Sequence, residues 1–364
     1  MKLKKIKLQN FRNYEALSIQ LDENTNIFYG NNAQGKTNIL EAVSVAATTK
    51  SHRNAKDKEL IHFENNEAHI EIELEKNNLE YVVDVHLKKH SPKGIAINKI
   101  PIKRASELFG VVNIVFFSPE DLNIIKNGPS ERRKFIDLEL SQLNKVYLSD
   151  LVSYNKVIMQ RNKLLKSGIN KQDLLINLEI WDEQLVKYGS KIISERSKFI
   201  KDTNKIIQSI HLELSDNKEK LDLKYEKNVE VINFHQAIKK YRDRDIQMKC
   251  TTVGPHKDDL GVYINNFDIR KFGSQGQQRT AALSLKLAEI ELVKERINDT
   301  PILLLDDVLS ELDQSRQHIL LDKICGIQTL VSCTGVEEFI KHRFNINKVF
   351  CVENGNILTN IKEN

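Results

Sequence analysis

The chain of 364 residues has no apolar run long enough to span a bilayer. Its first residues alternate Leu3, Ile6 and Leu8 with lysines and form no continuous apolar signal core. The expectation is a cytoplasmic protein with no membrane partner. Cysteine is scarce: Cys250, Cys325, Cys333 and Cys351 show neither the close pairing of a zinc site nor the density of a disulfide scaffold. They are expected to be reduced and buried. With 14 glycines and 6 prolines against 40% hydrophobic and 29% charged residues, the composition is globular and not disordered. A net charge of +5, in a chain with 55 basic and 50 acidic residues, permits a nucleic-acid partner but is weak evidence for one. The carboxylate cluster that a nuclease would add is not visible.

What is present is a phosphate-binding loop. Gly30-Asn31-Asn32-Ala33-Gln34-Gly35-Lys36-Thr37 fits G-x-x-x-x-G-K-[ST], between a short apolar strand, Thr25–Tyr29, and a helix-forming segment. Glycines let the backbone curl so that N–H groups and the positive end of the helix face phosphate oxygens. In such a loop Lys36 reaches the β- and γ-phosphates of a nucleotide, and Thr37 offers its hydroxyl to Mg²⁺. Arg12 lies at the turn Phe11-Arg12-Asn13-Tyr14 and either approaches this nucleotide or is a solvated turn residue.

The length predicts two lobes or one domain with a large insertion. Residues 1–125 read as the first part of an ATPase lobe, with strands Ala68–Leu74, Tyr81–Leu87 and Gly94–Ile102 forming an antiparallel meander. This departs from the βα succession of a small kinase. Residues 126–249 read as a helical insertion, with helices over Glu131–Leu143, Val146–Leu165 and Leu178–Ile210; Gly168 and Asn170 separate the last two into an antiparallel hairpin without heptads. Its basic residues include Arg132, Arg133, Lys134 and Arg161, and acids are sparse among them. They read as a DNA phosphate-backbone surface, with a solvated helix face as the alternative.

Residues 250–364 return to strands and chemistry. His256, alone among adjacent acids in Gly254-Pro255-His256-Lys257-Asp258-Asp259, reads as structural and not as a metal ligand. Asn265-Asn266 is a two-residue hairpin turn. Ser274-Gln275-Gly276-Gln277 opens a helix, with Ser274 as its cap and free N–H groups as a second anion site. The strand Pro301–Leu305 ends in Asp306-Asp307. There Asp306 would hold Mg²⁺ through water, and Asp307 would orient and deprotonate the attacking water. Ser310-Glu311-Leu312-Asp313 follows, then a strand ending at Cys333-Thr334-Gly335, where Thr334 is a candidate γ-phosphate contact.

The order of these motifs resembles the ABC-type ATPase heads of DNA-repair and chromosome-organising proteins. Phe11-Arg12-Asn13-Tyr14, the phosphate loop, Phe117-Ser118-Pro119-Glu120-Asp121-Leu122, Gly254–Asp259 and Ser274-Gln275-Gly276-Gln277-Gln278-Arg279 look like the RecF family. That resemblance implies an α/β ABC-type head with an antiparallel β subdomain and a helical insertion. It also implies that Ser274, Gly276 and Gln277 cap ATP on a second protomer in an ATP-dependent homodimer. The implied activity is weak, DNA-dependent ATP hydrolysis. The implied partners are DNA at single-strand gaps and junctions, RecR- and RecO-type mediators, and the RecA recombinase that they load. An ABC transporter subunit, another SMC-like clamp, or a monomeric phosphate-loop kinase or GTPase are the alternatives.

Overall fold

The computed structural model describes residues 1–334 and 346–361. These form two compact units, Met1–Asp121 with Glu289–Asn364, and Leu122–Ala288. The first unit begins with β1 (Lys2–Phe11), β2 (Tyr14–Gln20) and β3 (Thr25–Tyr29), then α1 (Lys36–Thr48). It continues with β4 (Glu67–Lys76), β5 (Leu79–Lys88), β6 (Gly94–Ile97), β7 (Ile100–Pro101) and β8 (Ile114–Phe117). Among the described residues, β2, β1, β4, β5, β6 and β7 make a six-stranded antiparallel sheet in that order. Alternation assigns its faces: Ala68, Ile70, Ile72 and Leu74 of β4 are buried in one core with residues of α1. Each such side chain contributes about 1.5–3 kcal/mol on full burial. The strand expected over Gly94–Ile102 is split by Asn98 and Lys99, both at positive φ (50° and 64°), as are Asn77 and Asn78 (51° and 60°) between β4 and β5. Such pairs supply the turn that matches the twist of a hairpin.

The second unit holds α2 (Leu122–Lys126), α3 (Pro129–Leu143), α4 (Lys145–Leu165) and α5 (Lys171–Leu214). Asn144 and Asn170 cap α4 and α5 through their side-chain oxygens. Leu165 clusters with Leu174 and Leu178, Arg161 meets Asp182, and Tyr147 meets Arg196, so the helices run antiparallel. Then follow β9 (Leu221–Glu226), α6 (Phe234–Lys240), α7 (Arg242–Met248), β10 (Asp259–Ile264), β11 (Phe267–Asp268) and α8 (Ile269–Phe272). The unit thus runs on to Ala288, past the insertion boundary expected at 249. The reason is pairing: β10 takes β9 as its antiparallel partner, and Arg132 of α3 grips Asp259.

The helix α9 (Gln275–Ile297) carries the chain back to the first unit, which adds β12 (Ile302–Asp306), α10 (Gln314–Ile324), β13 (Thr329–Cys333), β14 (Ile346–Glu353) and β15 (Asn356–Ile361). Among the described residues the second sheet has the order β15-β14-β3-β13-β12-β8, parallel except for β15. Phe28 of β3 stacks on Phe350 of β14 with centroids 5.0 Å apart. The cysteines are free, as expected, but not buried: Cys325 is exposed and the other three are partly so. Among the described residues no helix is long and apolar enough to cross a membrane.

Candidate nucleotide site

The loop between β3 and α1 is held open by its neighbours. The Gln34 carbonyl accepts from Asn13 Nδ2 (3.0 Å) and Gly355 N (3.1 Å), and the Gly35 carbonyl from Tyr14 Oη (3.1 Å). A trans peptide points its N–H opposite to its C=O. The N–H groups of Gly35 and Lys36 therefore face away from these partners, toward the hollow of the loop. Gly35 has φ +114°, and a Cβ there would lie 2.6 Å from Asn13 Nδ2, so only glycine fits. Lys36, 3% exposed, donates from Nζ to the carbonyls of Gly30 (2.6 Å) and Asn31 (3.0 Å). Asn38 ties α1 to the same turn, donating to Asn13 Oδ1 at 2.7 Å.

On the carboxylate side, Asp306 ends β12 and accepts from Thr37 Oγ1 (2.7 Å) and Ser332 Oγ (2.7 Å). Asp307 follows in the left-handed region, φ 51°, with its N–H directed to Ser332. Burial, and then the charge of Asp306, push its carboxyl above the usual range. Arg53 brings a half-exposed guanidinium to 3.9 Å from Asp306 Oδ2. His52 beside it stacks on Phe116 at 4.0 Å, and burial lowers its imidazole to about 4.

Loop, lysine, hydroxyl and buried carboxylate fit nucleotide and Mg²⁺: the N–H groups face one hollow, and Thr37 with Asp306 is a pair of hard oxygen donors 2.7 Å apart. Asn13 and Tyr14 lie in the quoted Phe11–Tyr14 motif, but their grip on the loop is visible only in the structure, and Arg53 and the Asn354-Gly355 turn border this site without belonging to any motif named above. Only the glycine of that turn signals it locally.

Other expected residues fall out differently. Arg12 is bound bidentately to Glu41, with Nε and Nη2 each at 2.8 Å, and donates from Nη1 to Glu59 O at 3.0 Å. Burial acts against the Glu41 carboxylate, but hydrogen bonds from Arg12 and Ser51 outweigh it and lower its pKa. Arg12 therefore ties α1 to the turn before β4. Thr334 is exposed just past β13, and Gly335 lies outside the described residues.

Ser274 does cap α9: its Oγ accepts from Gln277 N (3.2 Å), while Gln277 Oε1 accepts from Ser274 N (3.0 Å), a reciprocal capping box. Ser274, Gln275 and Gly276 are exposed. Gln277 Nε2 is held by Glu219 at 2.8 Å.

The expected DNA surface needs correction. Arg132 is 4% exposed, and its fork closes on Asp259 at 2.6 and 3.0 Å and on the Asn127 carbonyl at 2.6 Å. It is a structural residue with no free face for a phosphate. Arg133 donates to the Asp258 carbonyl at 2.7 Å, whereas Lys134 is exposed beside Glu131. Arg161 is fully buried. His256 is structural as expected, bridging Tyr154 Oη (2.8 Å) and Thr251 O (3.0 Å).

Parallel sheet, phosphate loop and the carboxylate strand together define an ABC-type ATPase head. The family model described as RecF/RecN/SMC N terminal domain matches residues 2–357. The DNA replication and repair protein RecF of Agathobacter rectalis is 58% identical over 357 residues, covering 98% of this chain and 99% of its own. The chain belongs to the RecF family. A solved structure described as the recombination mediator protein RecF-ATP in the RecFOR pathway is 35% identical, with TM-score 0.91, over 99% of this chain and 97% of its own. The Smc head of Pyrococcus furiosus, at 15% identity and TM-score 0.57 over 98% and 95%, is alike in fold.

Proposed function

We propose that the chain is an ATP-dependent DNA-binding protein of recombinational repair and replication. Two copies close on ATP at single-strand gaps or junctions of DNA, cooperate with RecO- and RecR-type mediators, and help load the RecA recombinase. Weak hydrolysis resets the clamp. The observation that carries this reading is the Thr37–Asp306 contact of 2.7 Å, which joins the phosphate loop to the carboxylate strand. The similar solved structure of RecF with ATP supports the choice of nucleotide.

Lys36 exchanges the Gly30 and Asn31 carbonyls for phosphate oxygens, and the N–H groups of Gly35 and Lys36 bind the same anion. Thr37 and Asp306 are the residues that would hold Mg²⁺, which supplies neutralisation of phosphate charge when bound. Asp307, its carboxyl raised by burial and Asp306, takes a proton from water at its carboxylate oxygen. The exposed N-terminus of α9, capped by Ser274, belongs to the other compact unit and offers free N–H groups to a nucleotide on a second copy. ATP bound between copies has greater affinity for the closed dimer, and hydrolysis removes that difference.

Sedimentation of the full chain with ATP and gapped DNA tests this. Wild type should dimerise with ATP, Asp307→Asn should stay dimeric longer, and Ser274→Arg should bind ATP as a monomer. ATP-dependent dimers of Ser274→Arg would sink the trans site, and a wild type that stays monomeric on ATP would sink the clamp.

A further inference from the structure

The solvent-facing side of β4 and β5 carries three donors that the nucleotide site does not use. His69 and His86 stand directly opposite each other in the β4–β5 register, with rings stacked 3.8 Å apart at an interplanar angle of 24°. Glu67, two residues before His69 and so on the same face, places Oε2 2.6 Å from His86 Nε2. One ligand atom from each residue lies within 4.8 Å of the other two. Strand pairing enforces this grouping, because side chains directly opposite in an antiparallel ladder start from Cβ atoms about 4.5–5.5 Å apart.

The chemistry of the set is specific. Two imidazoles and one carboxylate suit a borderline cation of the Zn²⁺ type, and Zn–N and Zn–O bonds of about 2.0–2.2 Å at tetrahedral angles put ligand atoms about 3.3–3.5 Å apart. Side-chain rotation alone spans the difference from the present spacing. The surroundings are mixed in sign. Glu71 and Asp84 face each other in the next row, Lys7 pairs with Glu71, and Lys88 stands opposite Glu67. On the far flank, Gly94 of β6 stands opposite His86, where a Cβ would lie 3.8 Å from the His86 Cβ. A side chain there would cover His86; glycine leaves that flank open.

We propose that Glu67, His69 and His86 form a surface site for a divalent transition ion of the Zn²⁺ class. The ion takes one carboxylate oxygen and two imidazole nitrogens and keeps a position open to water. It cross-links β4 to β5 and is separate in both residues and ligand type from the hard-oxygen pair Thr37 and Asp306.

The full chain, dialysed against chelator and kept in Mg²⁺ buffer, is titrated with Zn²⁺ by calorimetry and with Co²⁺ by absorption spectroscopy. Wild type should bind one equivalent of Zn²⁺. Co²⁺ should give the visible bands of a low-coordinate site and no thiolate charge-transfer band, which separates this site from the free cysteines. His69→Asn and His86→Asn should each weaken Zn²⁺ by about tenfold or more. His235→Asn, an exposed histidine in the other compact unit, should not. Glu67→Gln, which keeps the shape of the side chain, should also weaken binding, and unchanged circular dichroism in chelator verifies that the variants fold. The proposal is overturned if wild type takes up no Zn²⁺ at submillimolar concentration. It is equally overturned if the double variant His69→Asn/His86→Asn binds like wild type, or if the Co²⁺ complex shows thiolate bands.

Discussion

Arg161 offers the sharpest separation between a DNA-binding surface and a folded core. It sits fully buried in α4, donating from Nε to Asp182 Oδ1 (2.7 Å) and from Nη1 to Asp245 Oδ2 (2.7 Å) and Thr251 Oγ1 (2.9 Å). In Arg161→Met, Asp182 keeps Arg242, whose Nη2 lies 2.7 Å away. Asp245 is fully buried and keeps only the Thr252 N–H (2.9 Å) and hydroxyl (2.6 Å), both on Oδ1. Its charge loses the arginine that balances it. Removing one partner of a buried pair costs about 3–5 kcal/mol, and the surviving neutral bonds place this case near 3. With Asp245→Asn added, the unbalanced charge is gone, and about half of the loss should return. Urea unfolding can be followed by fluorescence of Trp181, the single tryptophan, which adjoins Asp182 on α5. A midpoint lower by about 1 M is expected, given slopes of a few kcal/mol per molar. A single variant within about 0.5 kcal/mol of wild type would refute the reasoning, a value typical of surface changes. So would a double variant no more stable than the single one.

Three other outcomes follow from the same geometry. Gly35→Ala forces a left-handed alanine against Asn13 and should weaken binding of a fluorescent ATP analogue about 100-fold, or about 2.7 kcal/mol; unchanged affinity would show that the Asn13 clamp does not shape the loop. Burial holds His52 at about 4, so between pH 6.5 and 4 the unfolded chain binds a proton that the folded chain refuses, and stability falls as pH drops through that window. His52→Gln should reduce this slope in melting temperature without abolishing it, since burial also holds His256 at about 4; an unaltered slope would contradict the burial argument. Lys134→Gln should lower the salt slope of DNA binding by up to about 1 with stability unchanged, whereas Arg132→Gln should destabilise the fold and leave the slope alone; the opposite pairing of effects would return Arg132 to the DNA surface.

Features that depend on neighbours in sequence were legible before any coordinates. The pattern of the phosphate loop, the capping residue Ser274, the alternation of β4 and the turn Asn265-Asn266 are all written within a few consecutive residues. The basic cluster misled because its local window is poor in acids. Asp259 reaches Arg132 across 127 positions and Asp245 reaches Arg161 across 84, and no local charge pattern reports partners at that separation. Burial on α4 also departs from residue type: Val152 is 55% exposed, while Arg161 takes a buried place that its distant carboxylates make tolerable.

The phosphate loop makes the same point in reverse. Its pattern marks the candidate phosphate ligands, but a glycine-rich segment of that length has many conformations, and fixing each backbone residue costs about 1–2 kcal/mol. Two hairpin turns far apart in the chain offset part of that cost. Asn13 and Tyr14, where the chain turns from β1 into β2, hold the carbonyls of Gln34 and Gly35. Gly355, between β14 and β15, adds a second bond to Gln34, and the Asn354 N–H holds Gln34 Oε1 at 2.6 Å. Because those carbonyls are engaged on one side, their peptide N–H groups are committed to the other, and the anion hollow exists before any anion arrives. The shape of the loop therefore rests on the antiparallel subdomain and on the last hairpin of the chain, and its affinity should depend on them as well as on Lys36. Substitutions at Asn13 should weaken nucleotide binding although Asn13 belongs to no phosphate-loop motif.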